Sequence, residues 1–322
     1  MDKVYIEIQN GKKGFEPVVL DGIQWITERK GSPGKLTLKV LQDDKLDVEE
    51  GNAISFKVGK TGVFYGYIFK RSMDKTNILS LTCYDQMRYL KNKDTYNFKN
   101  TTANRIVGSL CNDFGLRTGE LEETSFVIKA VVYDNKTLLD MMQDSLDMTL
   151  TNIKKLYVLY DDYGKITVKQ IARMKVGLII DAETAETYEF DSSIDSETYN
   201  RIKLEYEDSD THKREFWTAE DKETQKKWGT LQYFESINKD EKDSAQNKAN
   251  SLLKLYNLPT KHLTIPNCIG DLRVRGGSMV LVQLTIGQEK INHWMVVDSA
   301  THTFKQNEHF MDLKLIGGGF VG

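Results

Sequence analysis

Across residues 22–98, apolar and polar side chains alternate with a period of two. Leu36, Leu38 and Val40 interleave with Lys35, Thr37 and Lys39, and Ile54, Phe56 and Val58 interleave with Ser55 and Lys57. This periodicity fits half-buried strands, whose side chains point to opposite faces in turn, and does not fit helices. Gly31, Ser32, Pro33 and Gly34, and then the run from Gly59 to Gly62, supply the backbone freedom and preset angles of tight hairpins. The first third of the chain therefore reads as an antiparallel β-meander or barrel.

The rest of the chain extends this plan. Residues 3–8 alternate as a first strand, and a helical turn over 85–90 closes the sheet. Thr101 or Thr102 can cap a helix whose apolar residues Ala103, Ile106, Val107, Leu110, Cys111 and Phe114 recur three and four apart, with Gly115 as the stop. After a strand at 126–132, Asn135 is expected to open a second helix carrying Leu138, Leu139, Met142, Leu146 and Leu150, and residues 156–171 read as a hairpin turning at 161–164. Acidic stretches at 182–198 and 205–216 suggest boundaries around a strand at 200–206. A third helix spans about 240–256 and is ended by Pro259. Strands at 279–286, 291–304 and 309–316 and a loose GGGFVG tail complete the chain. The fold class is mainly β, α+β overall, with domains at 1–96, 97–175 and 176–322 and a helical excursion near 219–258.

Composition excludes several function classes. In 322 residues, 44 Lys and Arg against 47 Asp and Glu give a net charge of -3, without the basic face of a nucleic-acid binder. Apolar runs such as 176–180 and 279–282 fall far short of the roughly 20 residues that span a bilayer. The start MDKVYIEIQN lacks the apolar core of a signal peptide, so the chain is expected to be made soluble and to stay in the cytoplasm until assembled. Cys83, Cys111 and Cys268 are odd in number and widely spaced, as expected of buried reduced thiols.

Motifs that carry chemistry elsewhere are weak here. VGKTG at 58–62 lacks the first glycine of a phosphate loop, where Ile54 stands, and is followed by a strand, so it reads as a hairpin turn. Glu120, Glu122 and Glu123, and the pair Asp161 and Asp162, could be paired glycosidase carboxylates but sit in expected turns as ordinary solvated groups. His212, His262, His293, His302 and His309 show no zinc-hydrolase spacing; His302 shares a strand face with Asp298. Arg273 and Arg275 alternate on one side of an expected strand, as rim ion-pair partners or, less simply, lining a DNA passage. Trp25, Trp217, Trp228 and Trp294 are the tryptophan candidates for a carbohydrate platform, with Trp25 and Trp294 in strands expected to be packed. No catalytic, cofactor-binding or metal residue is assigned.

ERKGSPGKLTLKV, EGNAISFKV, VFYGYIF and YDQMRYLKNKDTYNF, followed by DNKTLLDMMQDSLD, LYVLYDDYGKITVK, GDLRVRGGSMVLVQL and HTFKQNEHFMDLKLIGG, resemble in order the XkdQ/YqbQ proteins of contractile phage tails and phage-like elements. The resemblance covers nearly the whole chain. It implies a non-enzymatic, homotrimeric baseplate hub in the particle, with two tube-like β-barrel domains. Its partners would be the sixfold tail tube protein, the threefold central spike and other baseplate proteins; neither membrane binding nor sequence-specific nucleic-acid binding is implied. A peptidoglycan hydrolase of the tail is the alternative. The plan of 51–83, glycine then strand, turn, strand and strand, recurs at 277–315, so the two β regions are expected to share a strand order.

Overall fold

The computed structural model describes residues 2–317 apart from 186, 196, 209, 210 and 288, so all but the first glycine of the C-terminal tail lies outside the described residues. The chain is mainly β. It opens with β1 (Val4–Asn10), β2 (Lys13–Phe15), β3 (Ile23–Glu28), β4 (Lys35–Leu41), β5 (Ala53–Val58), β6 (Thr61–Met73) and β7 (Ile78–Tyr84). The alternation read from the sequence is the alternation of burial. Leu36, Leu38, Val40, Ile54, Phe56 and Val58 turn inward and join Ile8, Trp25, Ile68, Leu81 and Phe304 in one core.

A 3-10 turn at Gln86–Lys91 leads into β8 (Lys93–Thr102), α1 (Ala103–Asp113), β9 (Thr118–Leu121), β10 (Val127–Thr137), α2 (Leu138–Ile153), β11 (Tyr157–Asp161) and β12 (Ile166–Gln170). β8 and β10 form a ribbon, the β11–β12 hairpin takes β9 as a parallel third strand, and both helices bury their apolar faces in a separate core. Two expected caps are corrected. Asn135 does not open α2 but lies within β10 at φ 48, beside an irregularity in the ladder, whereas Thr137 is the N-cap and its hydroxyl accepts the Asp140 N–H at 3.1 Å. Thr102 begins α1, but its hydroxyl donates to Asn104 Oδ1 rather than capping.

β13 (Lys175–Ile180) and β14 (Glu189–Ser193) precede an excursion of β15 (Arg201–Glu207), β16 (Arg214–Glu220), α3 (Lys222–Trp228), β17 (Gln232–Ser236), a 3-10 turn and α4 (Ala245–Tyr256). The acidic stretch at 205–216, expected as a boundary, instead supplies parts of the β15–β16 hairpin. α4 covers one face of that sheet, and Lys203, Glu205 and the exposed Phe216 and Phe234 lie on the other. The chain ends with β18 (Thr260–Ile269), β19 (Met279–Ile286), β20 (Glu289–Lys305) and β21 (Glu308–Gly317).

Two six-strand arrays repeat one order in space. The first runs β1-β5-β6-β7-β4-β3 and the second β13-β19-β20-β21-β18-β14. The correspondence holds residue by residue around the bulge of the middle strand. Each middle strand carries a bulge against its third strand, at Phe69 between the pairs Ile68↔Cys83 and Lys70↔Thr82, and at Asp298 between Val297↔Leu315 and Ser299↔Lys314. Gly51 and Gly277 both take positive φ, 91° and 94°, and donate their N–H to Ile68 and Val297 at 2.7 Å each. One strand departs: β1 is antiparallel to β5, whereas β13 is parallel to β19. β3 pairs with the second half of β20, from Ser299↔Glu28 to Phe304↔Ile23, so one sheet runs through both arrays.

Candidate functional site: a buried ionic junction

The two arrays and the helical insertion meet around three charged residues. Asp85 follows β7 as N-cap of the 3-10 turn, accepting the Met87 N–H at 3.0 Å on one oxygen and the Gly34 N–H at 2.8 Å on the other. Asp161 ends β11 and accepts the Gly164 N–H across the β11–β12 turn. Arg275 comes from the loop before β19 and lays its guanidinium over the Tyr160 ring at 4.1 Å and over Trp25 at 6.0 Å. Both carboxylates are buried. Gln86 fastens the same region by exchanging two hydrogen bonds with the Arg117 backbone.

Burial raises the proton affinity of both acids. Asp85 is held well above the usual carboxylate range, by desolvation first and then by repulsion from Asp161, and Asp161 is pushed up to about 6, mainly by desolvation. Desolvation lowers the proton affinity of Arg275, while Tyr160 and the acids oppose that shift. Asp161 Oδ2 and Arg275 Nε are buried without a hydrogen-bond partner among the described residues. The two acids are buried, and Arg275, half-buried, closes over them from the loop before β19. The physical effect is to make the mutual orientation of three substructures depend on one charge balance.

This geometry corrects the reading of the acids. Asp162 is exposed, but Asp161 is not the solvated turn residue its neighbours suggest, because the insertion folds it onto the first array. Glu122 ion-pairs with Arg173 at 3.2 Å, Glu123 accepts from Asn104, and Glu120 is exposed. The arginines do not share a strand. Both lie in the loop before β19, where Arg273 pairs outward with Asp271 and Arg275 turns inward. His302 does not meet Asp298, whose bulge breaks the alternation and turns it to Arg29 at 3.0 Å.

His302 lies between two partners. Its Nε2 contacts the Val274 carbonyl at 2.9 Å, which can only accept, so Nδ1 accepts from His309 Nε2 at 2.9 Å. Desolvation lowers His302 to about 3 and His309 to about 4, so the pair is neutral. His212, His262 and His293 are exposed, and among the described residues no group of three or more His, Cys, Asp or Glu can hold a metal ion. The three cysteines are free and buried, VGKTG forms the β5–β6 turn, and all four tryptophans are buried or half-buried. No helix among the described residues is long and apolar enough to cross a membrane.

Asp161 gives the junction a pH signature. A folded-state affinity near pH 6, above the ordinary 3.8, means that the native state holds this proton more tightly than the unfolded chain. The stabilisation it brings is complete below the unfolded value and is lost as pH rises to about 6. Asp161→Asn is therefore expected to gain on the wild type by about 1–3 kcal/mol between pH 4 and 7 in paired urea melts. A difference that does not change with pH would place the Asp161 proton elsewhere.

Comparison with known proteins agrees with the fold. The YQBQ-like family matches residues 23–316. The chain is 27% identical over 307 residues to the phage-like element PBSX protein XkdQ of Bacillus subtilis (strain 168), covering 94% of this chain and 92% of XkdQ. The 43 kDa tail protein of prophage MuSo2 from Shewanella oneidensis superposes with a TM-score of 0.70 at 11% identity, covering 99% of this chain and 100% of that one. The E. coli c3393 protein, a type VI secretion component described as structurally similar to the T4 tail proteins gp27 and gp5, superposes with a TM-score of 0.58 at 10% identity, covering 97% and 76%. With a match that runs from β3 through the insertion and the junction to β21, this chain belongs to the YQBQ-like family.

Proposed function

We propose that the chain is a structural protein of a phage-like tail, the baseplate hub that joins a sixfold tail tube to a threefold central spike as a homotrimer. One observation carries this reading: two arrays of the same strand order in one chain, with matching bulges in their middle strands. Three chains then present six similar units, which suits a sixfold ring on one side and a threefold partner on the other. Residues 1–96 and 176–322 are the two tube domains of this proposal, and 97–175 is an outer insertion that buries its own helices and needs no channel. The burial of both junction acids and the neutral histidine pair favour a scaffold over a hydrolase.

Light scattering of the purified chain is expected to give three times the chain mass. Imaging with tube and spike proteins should show a ring of six similar lobes. A monomer or dimer in solution, or peptidoglycan clearing that disappears when a single carboxylate is neutralised, overturns the proposal.

A further inference from the structure

The repeat locates an edge that the single chain leaves open. In the second array β20 is a branch strand: β19 takes one edge up to Val296, and β3 takes the same edge from Ser299 onward. In the first array β5 takes the corresponding edge of β6 only up to Tyr67. Beyond the bulge, Lys70, Arg71, Ser72 and Met73 pair with β7 on one side and, among the described residues, with no strand on the other. All four are exposed, Met73 at 60%, whereas Ala300 and His302, the counterparts of Arg71 and Met73, are buried where β3 covers them.

The repeat also names the missing strand. β3 holds its place through β4, and its counterpart is β14, held by β18 with its other edge unpaired among the described residues. We infer that β14 of a second copy of this chain docks on the open edge of β6. This rests on the trimeric hub reading and specifies its contact.

The register follows from the intrachain pair. Superposing Ser299↔Glu28 through His302↔Trp25 on the first array sets Lys70 opposite Ser193 of the second copy, Ser72 opposite Asp191 and Met73 opposite Phe190. Trp25 packs on His302 at a ring separation of 4.7 Å; Phe190 and Met73 supply an aromatic-to-sulfur contact at the same place. The charges agree. Lys70 lies diagonal to Asp191 on one face, within reach of its side chain, while Arg71 on the other face pairs with Glu50 of its own chain at 3.0 Å. Backbone pairing at an open edge gives affinity, and these side chains fix the register.

Ser72→Cys combined with Asp191→Cys tests the pairing, since opposed antiparallel residues lie close enough for a disulfide. Oxidation is expected to give linked dimers and trimers on a non-reducing gel. Mixing the two single variants should give dimers only, and Ser72→Cys with Ser192→Cys, which faces the other way, should stay unlinked. Asp191→Lys is expected to abolish the trimer in light scattering and Lys70→Glu with Asp191→Lys to restore it. A trimer that forms while the matched pair stays unlinked, or links no better than the mismatched one, overturns the strand pairing and leaves the hub reading intact. A wild-type chain that stays monomeric at high concentration overturns both.

Discussion

Replacing Arg275 by methionine is expected to cost the folded chain about 1–3 kcal/mol at pH 7, the range for losing a half-buried charge that acts on two buried acids without a direct ion pair. Methionine keeps most of the apolar stem, so the effect reports the charge rather than the volume. The guanidinium is the cation that acts on both buried acids, and it lies over Tyr160, whose ring would lose its charged partner. Asp161 Oδ2 has no hydrogen bond to fall back on among the described residues. The remaining acids would take up protons, so the deficit should shrink as pH falls toward 4, and Asp161→Asn in the same chain should recover part of it. Urea melts of the four chains at two pH values give the coupling directly. A loss below about 1 kcal/mol, typical of exposed pairs, would mean that the junction is not held by its charges.

What the sequence made legible follows from where the physics is local. β4 and β5 alternate between core and solvent within a few residues, and so they read as strands at once. β16 and α3 were not read. α3 has no buried residue at all, and β16 buries little beyond Ala219, so neither shows an apolar period. The junction was hidden for a different reason. Asp161 lies in a turn sequence, DDYG, that is ordinarily solvated, and the neighbours Asp85, Gln86 and Arg275 that help bury it are distant in the chain. Arg273 and Arg275 were read as strand neighbours because LRVRG alternates, yet Ser278 draws the segment into a turn by accepting the Arg275 N–H and donating to the Arg273 carbonyl. The register of the repeat, visible as two similar runs of strands in the sequence, became specific only once the bulges at Phe69 and Asp298 could be superposed.

Gly276→Val is expected to destabilise the chain by about 3–5 kcal/mol, through a clash that the core cannot absorb by moving side chains. A Cβ at this position would stand 2.3 Å from the Glu28 carbonyl carbon and 2.5 Å from the Arg29 nitrogen, and both are backbone atoms of the strand that joins the arrays. The Gly276 N–H also donates to Thr27 Oγ1 at 2.9 Å, so relief by withdrawal of the loop forfeits a buried hydrogen bond. Either relief, by withdrawal of the loop or by separation of β3 from β20, loosens β3 against the second array, so hydrogen exchange should locate the loosening in Ile23–Glu28 and 299–304, with β8 and β10 of the insertion unaffected. Uniform loosening of the whole chain, or none, would contradict this account. In the repeat the position of Gly276 is taken by Glu50, one residue before Gly51. A side chain there forbids an approach as close as that of β3, so the β14 strand of a second copy must leave the edge after Ser193, which is where β14 ends. In the proposed ring the two junctions would therefore differ in kind: glycine allows the close one inside each chain, and the one between chains would rest on four strand positions and their charges.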